Sequence, residues 1–414
     1  MPEHVDAVTV PVAGEPSLRR LLHAPHRLMF FIGAANLLVP MLWWAAWLGS
    51  KRFGSSALPE AAMYAGWLHA FVMQYQVLPC FMFGFLFTVF PRWTGQPDLR
   101  TWRYAGTGVG LVAGQACTLA AALGWQPGLA LGLLLTAMAW IAGMATLGAV
   151  LMRETAKTWH ARSCFLALAF GLAGLICQAL FVTGGAPLWS FASIKLGTFG
   201  LLLPIYFTVA HRMFPFFAGN AVPGYKPWRP MWVLACAWFL LILHLAIELA
   251  HGYLWLWLAD LPLLLLTAAL VWRWWPGRGS ARLVLVLFIG MAWLPVAFAL
   301  YFAQSATYVV SGTFVLGRAP AHALFIGFFG SVLVAMVTRV SQGHSGRPLQ
   351  FPAIAMFAFA AIQLVALTRI AAEFSHDMML WQFAAALGWL VALGPWALRL
   401  ASITVTARVD GKAG

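Results

Sequence analysis

"AHALFIGFFGSVLVAMVTRVSQGHSGRPL", residues 321–349, decides how this chain is read. Between His322 and Arg339 it carries no charge, an interval close to the roughly 20 residues a helix needs to cross hydrocarbon. It opens on an imidazole and closes on a basic turn bearing two glycines. Segments of this kind recur along the whole chain, in which 62% of the 414 residues are hydrophobic and only 9% charged. That much apolar surface needs lipid as its solvent, so the expected fold class is an all-α integral membrane protein.

Apolar runs punctuated by Pro, Gly and charge place about 12 transmembrane helices near 27–48, 62–90, 103–123, 128–152, 162–183, 188–213, 230–251, 254–275, 282–303, 319–339, 351–373 and 378–400. The domain reading is an N-terminal tail over 1–26, a transmembrane domain over 27–400 and a C-terminal tail over 401–414. Twenty of the 25 lysines and arginines then fall in the tails and alternate connections, all on one side. By the positive-inside rule both termini are expected in the cytoplasm. The other side keeps Lys51, Arg52, Arg318 and Arg369, and Lys195 lies within a span. The net charge of +14 therefore speaks of orientation, not of nucleic acid, and the lipid bilayer is the expected partner.

Glu3, Asp6 and Glu15 interrupt the first residues, so the first span itself is expected to direct insertion. The five cysteines fall inside apolar runs with no C-x-x-C or C-x-x-C-H pattern, so neither a thiol redox pair nor covalently attached haem is expected. "FTVFPR" (87–92), "FTVAHR" (207–212) and "AMVTR" (335–339) close the second, sixth and tenth spans. Units starting at Arg27, Arg162 and Arg282 would make three four-helix repeats. Gly106, Gly110 and Gly114 form overlapping G-x-x-x-G motifs, which call for close helix packing in the third span.

An ionisable side chain inside a span costs about 2.5–3.5 kcal/mol on insertion scales and usually faces a bundle interior or cavity. His69, Lys195, His244, Glu248, His251, Asp260 and His322 come from five different spans and all fall in the outer half of the bilayer. His244 and Glu248 are four apart on one helical face, and a carboxylate there can fix an imidazole tautomer for metal binding. His69 and His322 sit at similar depth on spans two and ten, where one imidazole from each would hold a b-type haem. The metal-ligand candidates are His69, His322, His244 and His251; Glu248, Asp260 and Lys195 are candidates for proton or ion chemistry. A lone interfacial histidine is more often simply hydrogen-bonded, and Lys195 paired with Asp260 would need no chemistry at all; depth and number together favour function.

A second, basic group lies on the cytoplasmic side: His26, Arg27, Arg92, His211, Arg212, Arg339, His344 and Arg347. Orientation alone accounts for arginines there. Arg92, Arg212, Arg339, His344 and Arg347 are nonetheless candidate cofactor-binding residues, able to take haem propionates or a quinone head group.

The opening stretch resembles the signature of the NnrS family, in which a histidine-led span ends in arginine and a glycine-histidine-glycine-arginine-proline type of turn. "GFLFTVFPRWTG" (84–95), "HRMFPFFAG" (211–219) and "PHRLMFF" (25–31) are similar to further family segments, and the likeness covers nearly the whole chain. The resemblance implies a haem- and copper-associated inner-membrane protein of the nitric oxide response. It carries over to His322, Arg339, His344, Gly346, Arg347 and Pro348, to Pro91, Trp93, Thr94 and Gly95, and to Arg212, Pro215 and Phe216. One departure concerns "WLHAFVM" (67–73): His69 is kept, but Phe71 and Val72 stand where the family pattern has a second histidine and a glutamate. That puts copper in question more than haem.

Two classes of function follow as expectations. The first is a protein with one or two haem b groups that acts on or protects against nitric oxide, a nitric oxide reductase-like oxidoreductase if it turns over, fed by quinol or another electron donor. Its arrangement of histidines on spans two, seven and ten resembles that of haem-copper oxidases by analogy only. The second is an ion-coupled transporter using Lys195, Glu248 and Asp260, for which twelve helices are also usual.

Overall fold

The computed structural model describes residues 15–54, 58, 59, 61, 63–155, 157–277 and 280–411. Glu3 and Asp6, and two of the basic residues counted above, Arg278 and Lys412, lie outside the described residues. Among the described residues twelve helices are long and apolar enough to cross a membrane: Pro25–Phe53, Ala65–Trp93, Trp102–Ala122, Pro127–Met152, Trp159–Val182, Pro187–Ala221, Met231–Leu249, Tyr253–Trp274, Arg282–Ser311, Ala319–His344, Ala353–Phe374 and Met378–Val405. No strand occurs among the described residues. The first, sixth, ninth, tenth and twelfth run past the ends expected from hydropathy. A helix does not stop where lipid stops; it continues until its backbone is capped. Gly54 (φ 72°) and Gly312 (φ 68°) supply the left-handed residue that ends the first and ninth.

Spans two, six and ten form the core. Between 78% and 89% of their apolar windows is buried, against 61% or less in every other span. The others pack around them as a ring, third on fourth, eighth on ninth, eleventh on twelfth, and the twelfth back onto the first. Each core span also departs from regular α-geometry, through wider π-helical turns at Met73–Val77, Leu196–Leu202 and Ala323–Gly330. Such turns are rare and cluster at functional sites. In the sixth and tenth spans the register is shared: Lys195 and His322 immediately precede the π segment, and Arg212 and Arg339 follow at the same interval. The four-span period read from the sequence is visible in this pattern.

Of the three glycines in the third span, two do the packing. In the G-x-x-x-G run, a Cβ on Gly110 would come 2.8 Å from Ala139 Cβ and one on Gly114 2.9 Å from the Gly132 carbonyl oxygen, both on the fourth span, while a Cβ on Gly106 meets open space. Gln76 then ties the pair to the core, its amide donating to Thr118 Oγ1 and Thr136 Oγ1, both at 2.9 Å. Gly114→Leu should destabilise by about 1–3 kcal/mol through overpacking, whereas Gly106→Leu should leave thermal unfolding in detergent unchanged.

The ring is closed at both ends. At the basic end Arg27 Nη1 donates to the carbonyls of Thr404 (2.9 Å) and Thr406 (2.8 Å), and the Ser17 amide to Val405 (2.9 Å). At the far end Arg52 Nη2 meets Asp377 Oδ2 at 2.6 Å. That guanidinium, with the Leu380 amide, holds the Asp377 carboxyl below its usual range. A depressed carboxylate stabilises the fold at pH values above the ordinary carboxylate range, and the contribution is lost as pH falls through the lowered value. Asp377→Asn should therefore flatten the acid limb of stability against pH, read from unfolding curves at a series of pH values.

Candidate functional site

A cavity of about 320 Å³ opens between spans one, two, six, ten, eleven and twelve, toward the end opposite the basic one. Its walls are largely aromatic and aliphatic, with Met41, Trp44, Trp67, Phe191, Phe325 and Trp389 among them. His69, His322, Lys195, Arg318, Arg369 and Gln382 also line it, Arg369 with its Nη1 2.6 Å from Glu373 Oε1. An apolar pocket of this size with a few convergent polar groups is the usual form of a ligand or cofactor site.

The core spans position the two histidines. His322 ends the short α-helical entry of span ten, and its Nδ1 lies 2.9 Å from the carbonyl of Arg318, one turn back. A carbonyl only accepts, so Nδ1 carries the hydrogen and Nε2 keeps its lone pair, the form an imidazole needs to ligate a metal. His69, one turn before the π segment of span two, stacks on Trp44 (centroids 4.5 Å, planes 11° apart), which stacks on Trp47 (5.3 Å, 6°). The stack fixes the ring plane while leaving both nitrogens without a hydrogen bond among the described residues.

Lys195 reaches the cavity from span six and is the front of a buried polar chain. Its Nζ donates to Glu248 Oε1 at 2.5 Å; Glu248 Oε2 lies 3.4 Å from His244 Nε2; and His244 Nδ1 lies 2.7 Å from Asp260 Oδ1. Side chains of His244 and Asp260 are sealed, 0% and 1% exposed, and Glu248 is 9% exposed. Both His244 nitrogens thus face carboxylates, which leaves no lone pair for a metal in the cavity. His251 stands apart at the end of span seven, exposed, with Nδ1 2.6 Å from the Tyr253 hydroxyl. The four proposed metal-ligand histidines therefore do not converge. Among the described residues no group of three His, Cys, Asp or Glu side chains is placed to hold a metal ion.

The family profile described as NnrS protein matches residues 20–408. The chain belongs to the NnrS family. No curated protein matches it. As an NnrS member it is a multi-pass membrane protein associated with the nitric oxide response.

The basic residues of this NnrS chain sit at the other end of the bundle. His322 and Arg339 are 17 residues apart on one span, roughly 25 Å at about 1.5 Å per residue. One cofactor in the cavity cannot reach both. At the basic end Arg92 Nη1 lies 2.9 Å from His344 Nε2, and Arg408 donates to the His344 carbonyl at 3.0 Å. Arg339 lies over the Phe217 ring (3.9 Å) and Arg212 over Trp93 (4.6 Å), while Arg347 reaches Thr406 Oγ1 at 3.5 Å. These contacts anchor helix ends and strap the termini together.

Sequence reasoning passed over three residues of weight. Arg318 and Arg369 line the cavity, and their signal was present: they are exceptions to the charge asymmetry that the rest of the chain obeys. His160, absent from the candidates above, has its Nε2 2.9 Å from His211 Nδ1. It opens span five as His26 opens span one, so the four-span register pointed to it.

Proposed function

We propose that this protein binds one haem b in the cavity and acts on or protects against nitric oxide there. The observation that carries the reading is the His322 tautomer: with Nδ1–H spent on the Arg318 carbonyl, Nε2 is a free donor in a cavity that His69 also lines. His322 and His69 would hold the iron from spans ten and two, and Lys195, Arg318 and Arg369 would face the propionates. Propionate recognition thus moves from the basic end, where sequence had put it, to the cavity's own rim. Bound there, haem would supply an iron that takes nitric oxide as a ligand in place of one of the two imidazoles. The protein's own part is to bury that iron among aromatic walls, exclude bulk water, fix the imidazoles and present an ammonium, Lys195, beside it. Nitric oxide is small, uncharged and soluble in lipid, so the site needs no hydrated channel for its substrate.

Copper does not belong to the proposal, because His244 and His251 are engaged elsewhere and Phe71 and Val72 lie in the core. The charge asymmetry supports cytoplasmic termini, and in the bacterial inner membrane that the family resemblance implies the cavity would lie in the outer leaflet. Electrons from quinol or another donor would be needed for turnover. Ion-coupled transport is the competing reading, since Lys195 and Glu248 form an ion pair at a cavity within a pseudo-repeat. The reduced-minus-oxidised spectrum of detergent-purified protein, with haem and metal quantified on the same sample, separates the two. A b-type spectrum near one haem per chain that nitric oxide perturbs is the expected result. Well-folded protein without haem would overturn it and leave transport leading.

A further inference from the structure

The polar chain behind the cavity has a property that an ordinary ion network lacks. With Lys195 charged and both carboxylates ionised, the four groups carry one net negative charge when His244 is neutral and none when it is an imidazolium. Burial penalises net charge, so one proton on His244 is the difference between a neutral and a charged interior. The spacing is uneven as well. The Lys195–Glu248 contact (2.5 Å) and the His244–Asp260 contact (2.7 Å) are closed, while Glu248 Oε2 and His244 Nε2 stand 3.4 Å apart. Those two atoms and Asp260 Oδ2 are buried without a hydrogen bond. Around His244 lie the Phe199 face from span six (3.9 Å), Asp260 from span eight, Tyr301 from span nine (5.5 Å) and Glu248 on its own span.

We propose that Lys195, Glu248, His244 and Asp260 form a proton relay that stores one proton on His244 and delivers it to the cavity through Lys195. This rests on the reading of the cavity as the reaction site. A proton leaves Lys195 Nζ for an acceptor in the cavity. The N–H bond at His244 Nε2 breaks as an O–H bond forms at Glu248 Oε2, and that proton passes to Nζ, restoring the ammonium and the carboxylate. His244 is left neutral, still donating from Nδ1 to Asp260. Recharging returns one proton to the empty Nε2 by the same route from the cavity, through Lys195 and Glu248, since Asp260 is sealed and Nδ1 already carries its hydrogen. The 3.4 Å gap is the point of control, since it closes only when a proton is there to be shared.

Infrared difference spectra of the purified protein, taken as pH is raised from mildly acid to alkaline, test this without any cofactor. The expected result is imidazole and carboxylate bands changing together in one proton step, lost in His244→Gln and displaced in Asp260→Asn. Lys195→Met should keep that step and slow nitric oxide-dependent proton uptake, followed with a pH indicator, by about tenfold or more. Wild-type and His244→Gln spectra that coincide over the whole range would overturn the relay. If the infrared step is present but the protein neither holds haem nor responds to nitric oxide, the relay stands and the haem reading falls.

Discussion

His322→Ala is expected to purify as a folded protein with almost no haem. The substitution removes the one imidazole whose tautomer is fixed for ligation, and opens no new donor on span ten. Even the outer hydrogen-bond partners of a metal ligand are worth about 10–100-fold in affinity, so loss of the ligand itself should exceed tenfold. His69→Ala should also lower haem content and shift the spectrum, because the second imidazole and its stack on Trp44 are lost together. His251→Ala and His211→Ala should keep the wild-type haem content, since neither residue lines the cavity. Haem per chain by pyridine haemochrome, alongside a thermal melt, reads all four variants. Full haem in both His322→Ala and His69→Ala would make the proposed pair of haem-holding histidines wrong.

Glu248→Ala should be the most damaging single change to stability. It strands the Lys195 ammonium and removes one of the two carboxylates around His244, in a place with almost no access to water. Breaking a buried pair by deleting one partner typically costs about 3–5 kcal/mol, because the remaining charge stays buried. Glu248→Gln keeps the shape and one acceptor and should cost less. The double variant Lys195→Met, Glu248→Leu should recover most of the loss, since apolar groups of similar volume often replace such a pair at little cost. Unfolding curves of the three proteins in one detergent provide the comparison. Equal stability of Glu248→Ala and wild type would mean that the pair is not charged in the folded state.

Hydropathy and charge alternation made the twelve spans legible, because lipid leaves a chain few alternatives: a crossing segment must be apolar, long and helical. That His69 and His322 line one cavity was legible through depth alone. Depth, however, says nothing of azimuth. His244 shares the leaflet of His322 but is aimed between spans six, seven and eight, where Asp260 takes its Nδ1. The rotation of each span is set by contacts distant in sequence, such as Gln76 with Thr118 and Thr136, which no single segment reveals. The π-helical turns were equally invisible, since "MQYQV" and "ALFIGFFG" share no composition. Arg318 and Arg369 were legible as exceptions to the charge asymmetry, but that asymmetry carries no sign of the cavity they line.

Closure of the twelfth span onto the first has a consequence for chain connectivity. Arg27 bonded to Thr404 and Thr406, and Arg52 to Asp377, bring the two termini of the bundle side by side. A closed circle of helices has no privileged starting point. Because each repeat holds an even number of spans, cutting the chain before span five or span nine and linking the old termini would leave every helix facing the same way across the membrane. Circular permutants of that kind should insert and assemble the same cavity, whereas a cut after an odd number of spans would invert them.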